Sequence, residues 1–406
     1  MSITRVFIVT NNAGELNYRA SVLQELSGNF EIILICRKHK SNKATTNNRI
    51  YVKSSFNFYS IFKRFSCNKL YKYLNDITYF PSPRILYIRN VTKYLCSVIK
   101  KRPDFKFVII TICPPHDVAI VGLKLKEKFP KILWINDLQD LWSNDEYYFD
   151  RIPKRRKSKI LDLENRFFKI ADKTVVTNEM AEDFCVKQFN IPRARIHTIY
   201  HPYRNLILNK SFNDDDLIKR IRNGGPVKLA FVGGLFKGSK VPGEMLIKEL
   251  SRFTIKHQFT LVFNVIGSPL PDSFEKYRNA SLIINENLNL NHDEAYKLAS
   301  NSDFLILLLG EVPNSKLVMH GKYPHYLASN MPILAFVPDG SFIQKSIFST
   351  NAGFFIDIDS DIPESLDNIF RSIINNGLPR PDLVEIKKFS REVFLNKWHN
   401  LIICEK

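Results

Sequence analysis

The chain has 406 residues, 45% of them apolar, which is too long for one compact core, too apolar for wholesale disorder, and points to two domains of about 200 residues. Its formal net charge of +19 is unevenly placed: residues 1–205 hold 36 Lys and Arg against 18 Asp and Glu, and the stretch 37–106 holds 17 against 2. No apolar run reaches the roughly 18 residues of a membrane-spanning helix. The six scattered cysteines, with no C-x-x-C pair, read as reduced cytoplasmic thiols rather than a disulfide frame or a zinc site.

In chain order, "RVFIVTNN" reads as a first strand rather than a signal peptide, and "LNYRASVLQELSG" as a helix stopped by Gly28. "FEIILICRK" is the next strand. "FKFVIITICPP", the helix "DVAIVGLKLKEKF", "KILWINDLQDLW", the helix "KILDLENRFFKIA" and the strand "DKTVVTN" complete the first half. The alternation restarts after Gly224-Gly225-Pro226. "VKLAFVGG", "FTLVFNVIGS", "ASLIINEN", "DFLILLLG", "MPILAFVP" and "AGFFIDID" are strand-like, separated by helical stretches such as "GEMLIKELSRF" and "HDEAYKLASNS". Apolar runs of this length between helices predict parallel strands buried on both faces. The expected architecture is α/β, with domains over 1–205 and 206–385 and an amphipathic C-terminal helix, 386–406, packing back on the first.

Parallel sheets bind ligands beyond the carboxyl ends of their strands. In the first half that singles out Gly14, where a backbone can approach a ligand or simply turn. It also singles out His116 after two prolines, a ligand group or a packing residue beside the potential cap Asp117, and Asp137 with Asp140 around a tight turn next to Trp142. Paired carboxylates there suit an acceptor hydroxyl. In the second half, Gly233 and Gly234 end a strand and precede Lys237 and Lys240, an arrangement suited to a diphosphate but neither a P-loop nor G-x-G-x-x-G. Pro324 is tolerable only in a first helical turn, which places Lys322 and His325 on one face of a helix start. Free amides and a lysine at such a start suit an anion; the bland alternative is a solvated Lys and a packed His.

At these residues the sequence resembles the bacterial glycosyltransferases of family 4. The carriers are "CPPHDVAIVGLKLKEKFPKILWINDLQDLW", "LENRFFKIADKTVVTNEMAEDF", "KLAFVGGLFKG" and "GKYPHYLASNMPILAFVPDGS" followed by "NAGFFIDID". The resemblance runs in register over most of the chain and is weakest at about 35–85. It implies the GT-B fold, two facing Rossmann-like domains with an interdomain cleft. It further implies metal- and cofactor-independent transfer of a hexose-type unit from a nucleotide sugar, with retention, to a saccharide or lipid-linked saccharide in surface polysaccharide synthesis. Lys237, Lys240 and Lys322 then receive the donor diphosphate beside Gly233 and Gly234, and His325 meets the ribose. Gly14, His116, Asp137 and Asp140 form the acceptor and catalytic side. The family usually has Glu at His325, a second Glu at Leu317, an Arg near Gly234 and Gly at Asn330.

The basic stretch 37–106 interleaves aromatics with Lys and Arg, as in "FNFYSIFKRF" and "YIRNVTKYL", which suits the anionic inner face of a membrane and a peripheral cytoplasmic protein. Two rivals are a non-catalytic partner subunit of the same fold and a basic nucleic-acid-binding protein. The nearly neutral second half and the lack of a recognised module speak against nucleic acid.

Overall fold

The computed structural model describes residues 4–11, 17–26, 28, 30–38, 48–53, 84–143, 154–204, 214–235, 240–267, 269–310 and 315–404, with Arg155, Lys240 and Val241 through their backbone alone. The chain divides into two compact units, one formed by 1–200 with 392–406 and the other by 201–391.

The first unit is built on strands β1 (Thr4–Val9), β2 (Phe30–Arg37), β3 (Arg49–Val52), β4 (Lys106–Cys113), β5 (Leu133–Leu138), β6 (Lys173–Val176) and β7 (Ile196–Thr198). They form one sheet in the order β3-β2-β1-β4-β5-β6-β7, parallel throughout. Strands such as "FVIITIC" are buried at nearly every position because helices cover both faces. One face packs Val6, Ile8, Val108, Ile110 and Ile135 against Ala20 and Leu23 of the helix Tyr18–Leu23 and against Phe394, Trp398 and Leu401 of the helix Arg391–Ile403. The last helix therefore belongs to this unit's core.

The second unit carries β8 (Val227–Val232), β9 (Leu261–Ile266), β10 (Leu282–Asn287), β11 (Phe304–Leu308), β12 (Ile333–Val337) and β13 (Gly353–Asp357). Their order is β10-β9-β8-β11-β12-β13, again all parallel. Its core joins Leu229, Phe231, Phe263 and Phe304 to Phe253 of the helix Lys240–Lys256 and Phe370 of the helix Ile362–Asn376.

Each sheet reverses its winding once, at β1/β4 and at β8/β11. Loops leaving such a switch point on opposite sides open a crevice at the carboxyl edge, where ligands of open α/β sheets bind. That places the segments after β1 and β4 in one unit, and after β8 and β11 in the other, at the ligand-binding edges.

The stretch 37–106 is described over 37–38, 48–53 and 84–106. There it contains the helix Ile85–Lys101, whose Tyr87, Ile88, Val91 and Leu95 are buried. Tyr87 is a core residue, its hydroxyl donating to the carbonyl of Thr10 at 2.7 Å, so this aromatic does not face a lipid. The outer face holds exposed Arg89, Lys93, Tyr94, Lys100 and Lys101.

Candidate functional site

In the second unit, β8 ends on Phe231 and Val232 and the chain turns at Gly233, whose φ of +112° is reached without strain only by glycine. A Cβ there would sit 3.4 Å from the ammonium of Lys322. The helix that brings Lys322 to this point is short, Tyr323–Ala328, with Lys322 as N-cap and Pro324 in its first turn. Two tyrosines three residues apart fix it from its buried face. The Tyr326 hydroxyl accepts the backbone N–H of Val232 at 3.0 Å, and the Tyr323 hydroxyl donates to Ser346 at 2.8 Å. Lys322 is thereby laid over the Phe231 ring, its Nζ 3.6 Å from the centroid.

Lys322 makes no ion pair among the described residues, and burial alone pulls its pKa down to about 7. An ammonium held over an aromatic ring without a counter-charge is a site prepared for an anion. The helix start itself contributes little. The N–H of Lys322 donates to His320 Nδ1 at 3.4 Å, the N–H of Tyr323 donates to the His320 carbonyl at 2.9 Å, and Pro324 has none. The expected free amides are thus largely occupied, and positive charge at this point comes from the side chain.

His325 is half-buried on the same turn, edge-on to His292 and Tyr296 with ring centroids 5.1 and 5.4 Å away. Its Nδ1 accepts the backbone N–H of Arg204 at 3.3 Å, so the neutral ring carries its hydrogen on Nε2. Burial, aided by His292 and Arg204, holds its pKa at about 3. Leu317 lies in the single turn Ser315–Leu317. Asn330 has φ of +56°, in the left-handed region that asparagine tolerates best after glycine. Gly234 follows Gly233 half-buried. Lys240 opens the helix Lys240–Lys256, its side chain outside the description, and Lys237 lies outside the described residues.

In the first unit the Cys113-Pro114-Pro115 run leads into the short turn His116–Val118. His116 is buried, its ring stacked on Trp142 at 5.6 Å, with Nε2 bonded to the Asp140 carbonyl at 2.7 Å. A carbonyl only accepts, so Nε2 is the protonated nitrogen. Gln139 N–H donates to the Cys113 carbonyl at 2.9 Å, which ties this loop to the one after β5. Asp140 is exposed beside it. The expected cap Asp117 is buried and instead takes the partly exposed Arg84 in an ion pair at 2.9 Å.

Asp137 is fully buried, and both its oxygens accept from Arg19, at 2.7 and 2.9 Å. Burial pushes the Asp137 carboxyl up, with the Arg19 charge opposing that shift. Arg19 also donates to the carbonyls of Ile199 and Tyr200 and lies over the Phe394 ring at 4.9 Å. The structure therefore puts His116 and Asp140 together, gives Asp137 a buried partner in Arg19, and leaves Gly14 outside the described residues. Arg19 escaped the sequence reading because it sits 118 positions from Asp137 within an ordinary amphipathic helix. A lone arginine on a helix's apolar face was the available signal.

No family model matches the sequence, and no curated protein does. Solved structures do. HepE of Anabaena in complex with UDP aligns over 98% of this chain and 99% of its own, with TM-score 0.61 and 10% identity. A glycosyltransferase from Rickettsia africae ESF-5 aligns over 98% and 97%, with TM-score 0.58 and 12% identity. WaaG, a glycosyltransferase involved in lipopolysaccharide biosynthesis, aligns over 99% and 100%, with TM-score 0.57 and 12% identity. The fold is GT-B. Full-length coverage in both directions means that the GT-B architecture accounts for both units and not one Rossmann-like half alone. Identities this low carry the fold and nothing of the chemistry.

Proposed function

We propose that this chain is a glycosyltransferase that moves a hexose-type unit from a nucleotide-sugar donor to a saccharide or lipid-linked saccharide acceptor, with retention and without a metal. The observation that carries the reading is Lys322: an ammonium without a counter-ion among the described residues, packed over Phe231 beside Gly233 at the switch point of the second sheet. In sugar transfer the bond to the leaving diphosphate lengthens through an oxocarbenium-like state, and negative charge collects on the diphosphate. A preorganised cation in a water-poor site stabilises that charge without reorganising. Gly233 allows the diphosphate to approach the strand end, and Lys237 and Lys240 follow it in the sequence. That HepE was solved with UDP supports a nucleotide as the ligand.

His325 takes the ribose in this reading. With its hydrogen on Nε2 it is a donor, where a glutamate would be an acceptor. The ribose contact is therefore reversed in polarity rather than lost. On the acceptor side, His116 and Asp140 present the loop pair that meets the acceptor hydroxyl, with Gly14 beyond β1. Asp137 acts through Arg19 by holding that edge of the first sheet in place. The exposed Arg89, Lys93, Lys100 and Lys101 bring the first unit to an anionic membrane surface, where a lipid-linked acceptor resides. No helix among the described residues is long and apolar enough to cross a membrane.

The test is calorimetric titration with UDP, GDP and dTDP. Binding of one nucleotide, lost in Lys322→Met, supports the reading. Silence from all three refutes the donor site and favours a non-catalytic partner subunit.

A further inference from the structure

The opposite edge of the first sheet holds a second feature. At the amino ends of β4, β5 and β6 lies a cavity of about 830 Å³, well away in the topology from the loops that follow the strands. Six basic side chains line it: Lys106, Lys126, Lys131, Lys169, Lys173 and Arg195. Lys106 opens β4, Lys173 opens β6, and Arg195 immediately precedes β7, so parallel strands bring distant cations to one edge.

Among the described lining residues Asp172 is the one carboxylate, and it is already engaged. Its Oδ2 accepts from Lys126 at 2.7 Å and from the Trp134 N–H at 2.8 Å. Lys126 also donates to the carbonyls of Pro130 and Ile132, which uses its three hydrogens. Lys173 donates to the carbonyls of Leu401 and Cys404 at 2.8 and 2.7 Å, and Arg195 to those of Phe168 and Lys169 at 3.2 and 3.0 Å. These carbonyls end two helices and favour cations, but they neutralise no charge. Lys126 is set against Asp172, and Lys131, Lys169, Lys173 and Arg195 hold four further positive charges around the hollow. Burial holds the Lys173 ammonium below the ordinary lysine range, and the Lys106 charge adds to that.

Helix capping explains Lys126, Lys173 and Arg195. It does not explain Lys131 and Lys169, which are exposed on the rim and make no ion pair among the described residues. The volume falls within the roughly 300–1,000 Å³ of small-molecule sites, and concavity suits a compact ligand better than a flat bilayer. We propose that this cavity binds a small soluble inorganic polyphosphate, of which tripolyphosphate is the probe. The inference stands apart from the transferase reading, since it uses neither Lys322 nor the carboxyl edge of either sheet.

The experiment is calorimetric titration of tripolyphosphate into the full chain carrying Lys322→Met, which removes the diphosphate site proposed in the other unit. One-to-one binding is expected, weakened about tenfold by the rim substitutions Lys131→Glu and Lys169→Glu together and weakened further by added salt. Both rim residues are exposed, and the double variant is expected to melt like its parent. With Lys322 intact, the double variant should bind UDP unchanged. No heat at millimolar tripolyphosphate, or heat that the rim substitutions leave untouched, would overturn the proposal. So would rim-dependent sedimentation with anionic phospholipid vesicles in the absence of tripolyphosphate binding, which would assign these lysines to a membrane face.

Discussion

Replacing Lys322 by methionine should make the protein more stable and less able to bind its donor. The ammonium's pKa is pulled from 10.5 to about 7 by burial. At about 1.36 kcal/mol per pH unit between those values, holding the charge in the folded, ligand-free chain costs at most about 5 kcal/mol. Partial exposure lets water recover part of that, so about 2–3 kcal/mol is the working figure. The sign follows from proton counts. Between pH 7 and 10.5 the unfolded chain holds the proton that the folded chain has released, so stability rises with pH across that window. Below pH 7 both states are charged and the full cost remains. Methionine fills similar volume without charge, so Lys322→Met should gain about 2–3 kcal/mol at pH 6 and nothing near pH 11. Loss of a charge-assisted contact worth about 1.5–3 kcal/mol should weaken UDP binding by roughly 10- to 150-fold. Urea melts at pH 6 and pH 10, with calorimetry of UDP at pH 6.5, read out both. Destabilisation by methionine at pH 6 would mean that Lys322 already has an anionic partner, and the argument for a prepared diphosphate site would fail.

Three further outcomes follow from the same geometry. Donor binding should be level from pH 5.5 to 6.5, because the pKa of His325 lies at about 3, and should fall above pH 7 as Lys322 loses its proton; a midpoint near 6 in the affinity profile would contradict this. Asp137→Asn should destabilise the fold by about 3–5 kcal/mol, because it strands the buried Arg19 charge; a variant of unchanged stability but abolished transfer would make Asp137 a chemical group instead. Gly233→Ala should cost about 1–2 kcal/mol of stability, from the positive φ, and weaken UDP binding by crowding Lys322; thermal melts and titration of the same sample check both.

Most strands and their parallel type were legible because buried parallel strands announce themselves as apolar runs, "KFVIITIC" and "ILAFV" among them. The strands that escaped, Arg49–Val52 and Ile196–Thr198, are the edge strands of the first sheet, too short for any period to register. The helix Ile85–Lys101 was obscured by the surrounding charge, and its Tyr87 was grouped with surface aromatics although it is core. At the candidate site, residue type and spacing singled out Lys322 and the β8 turn separately, and only the family resemblance joined them. The burial of that lysine and the tautomer of His325 were not, since both depend on Phe231 and Arg204, about 90 and 120 positions away. Long-range pairs such as Arg19 with Asp137 leave no local trace.

The helix Arg391–Ile403 places Phe394, Trp398 and Leu401 in a core whose other walls are made from residues of the first half. During synthesis, that core must wait. Residues 201–391 form a contiguous unit that can close as soon as it clears the ribosome, whereas the earlier-made unit stands with one wall open until the final helix emerges. The domain translated first is the one that matures last. While it waits, Arg19 and Asp137 lack the Phe394 and Trp398 rings that shield their ion pair from water.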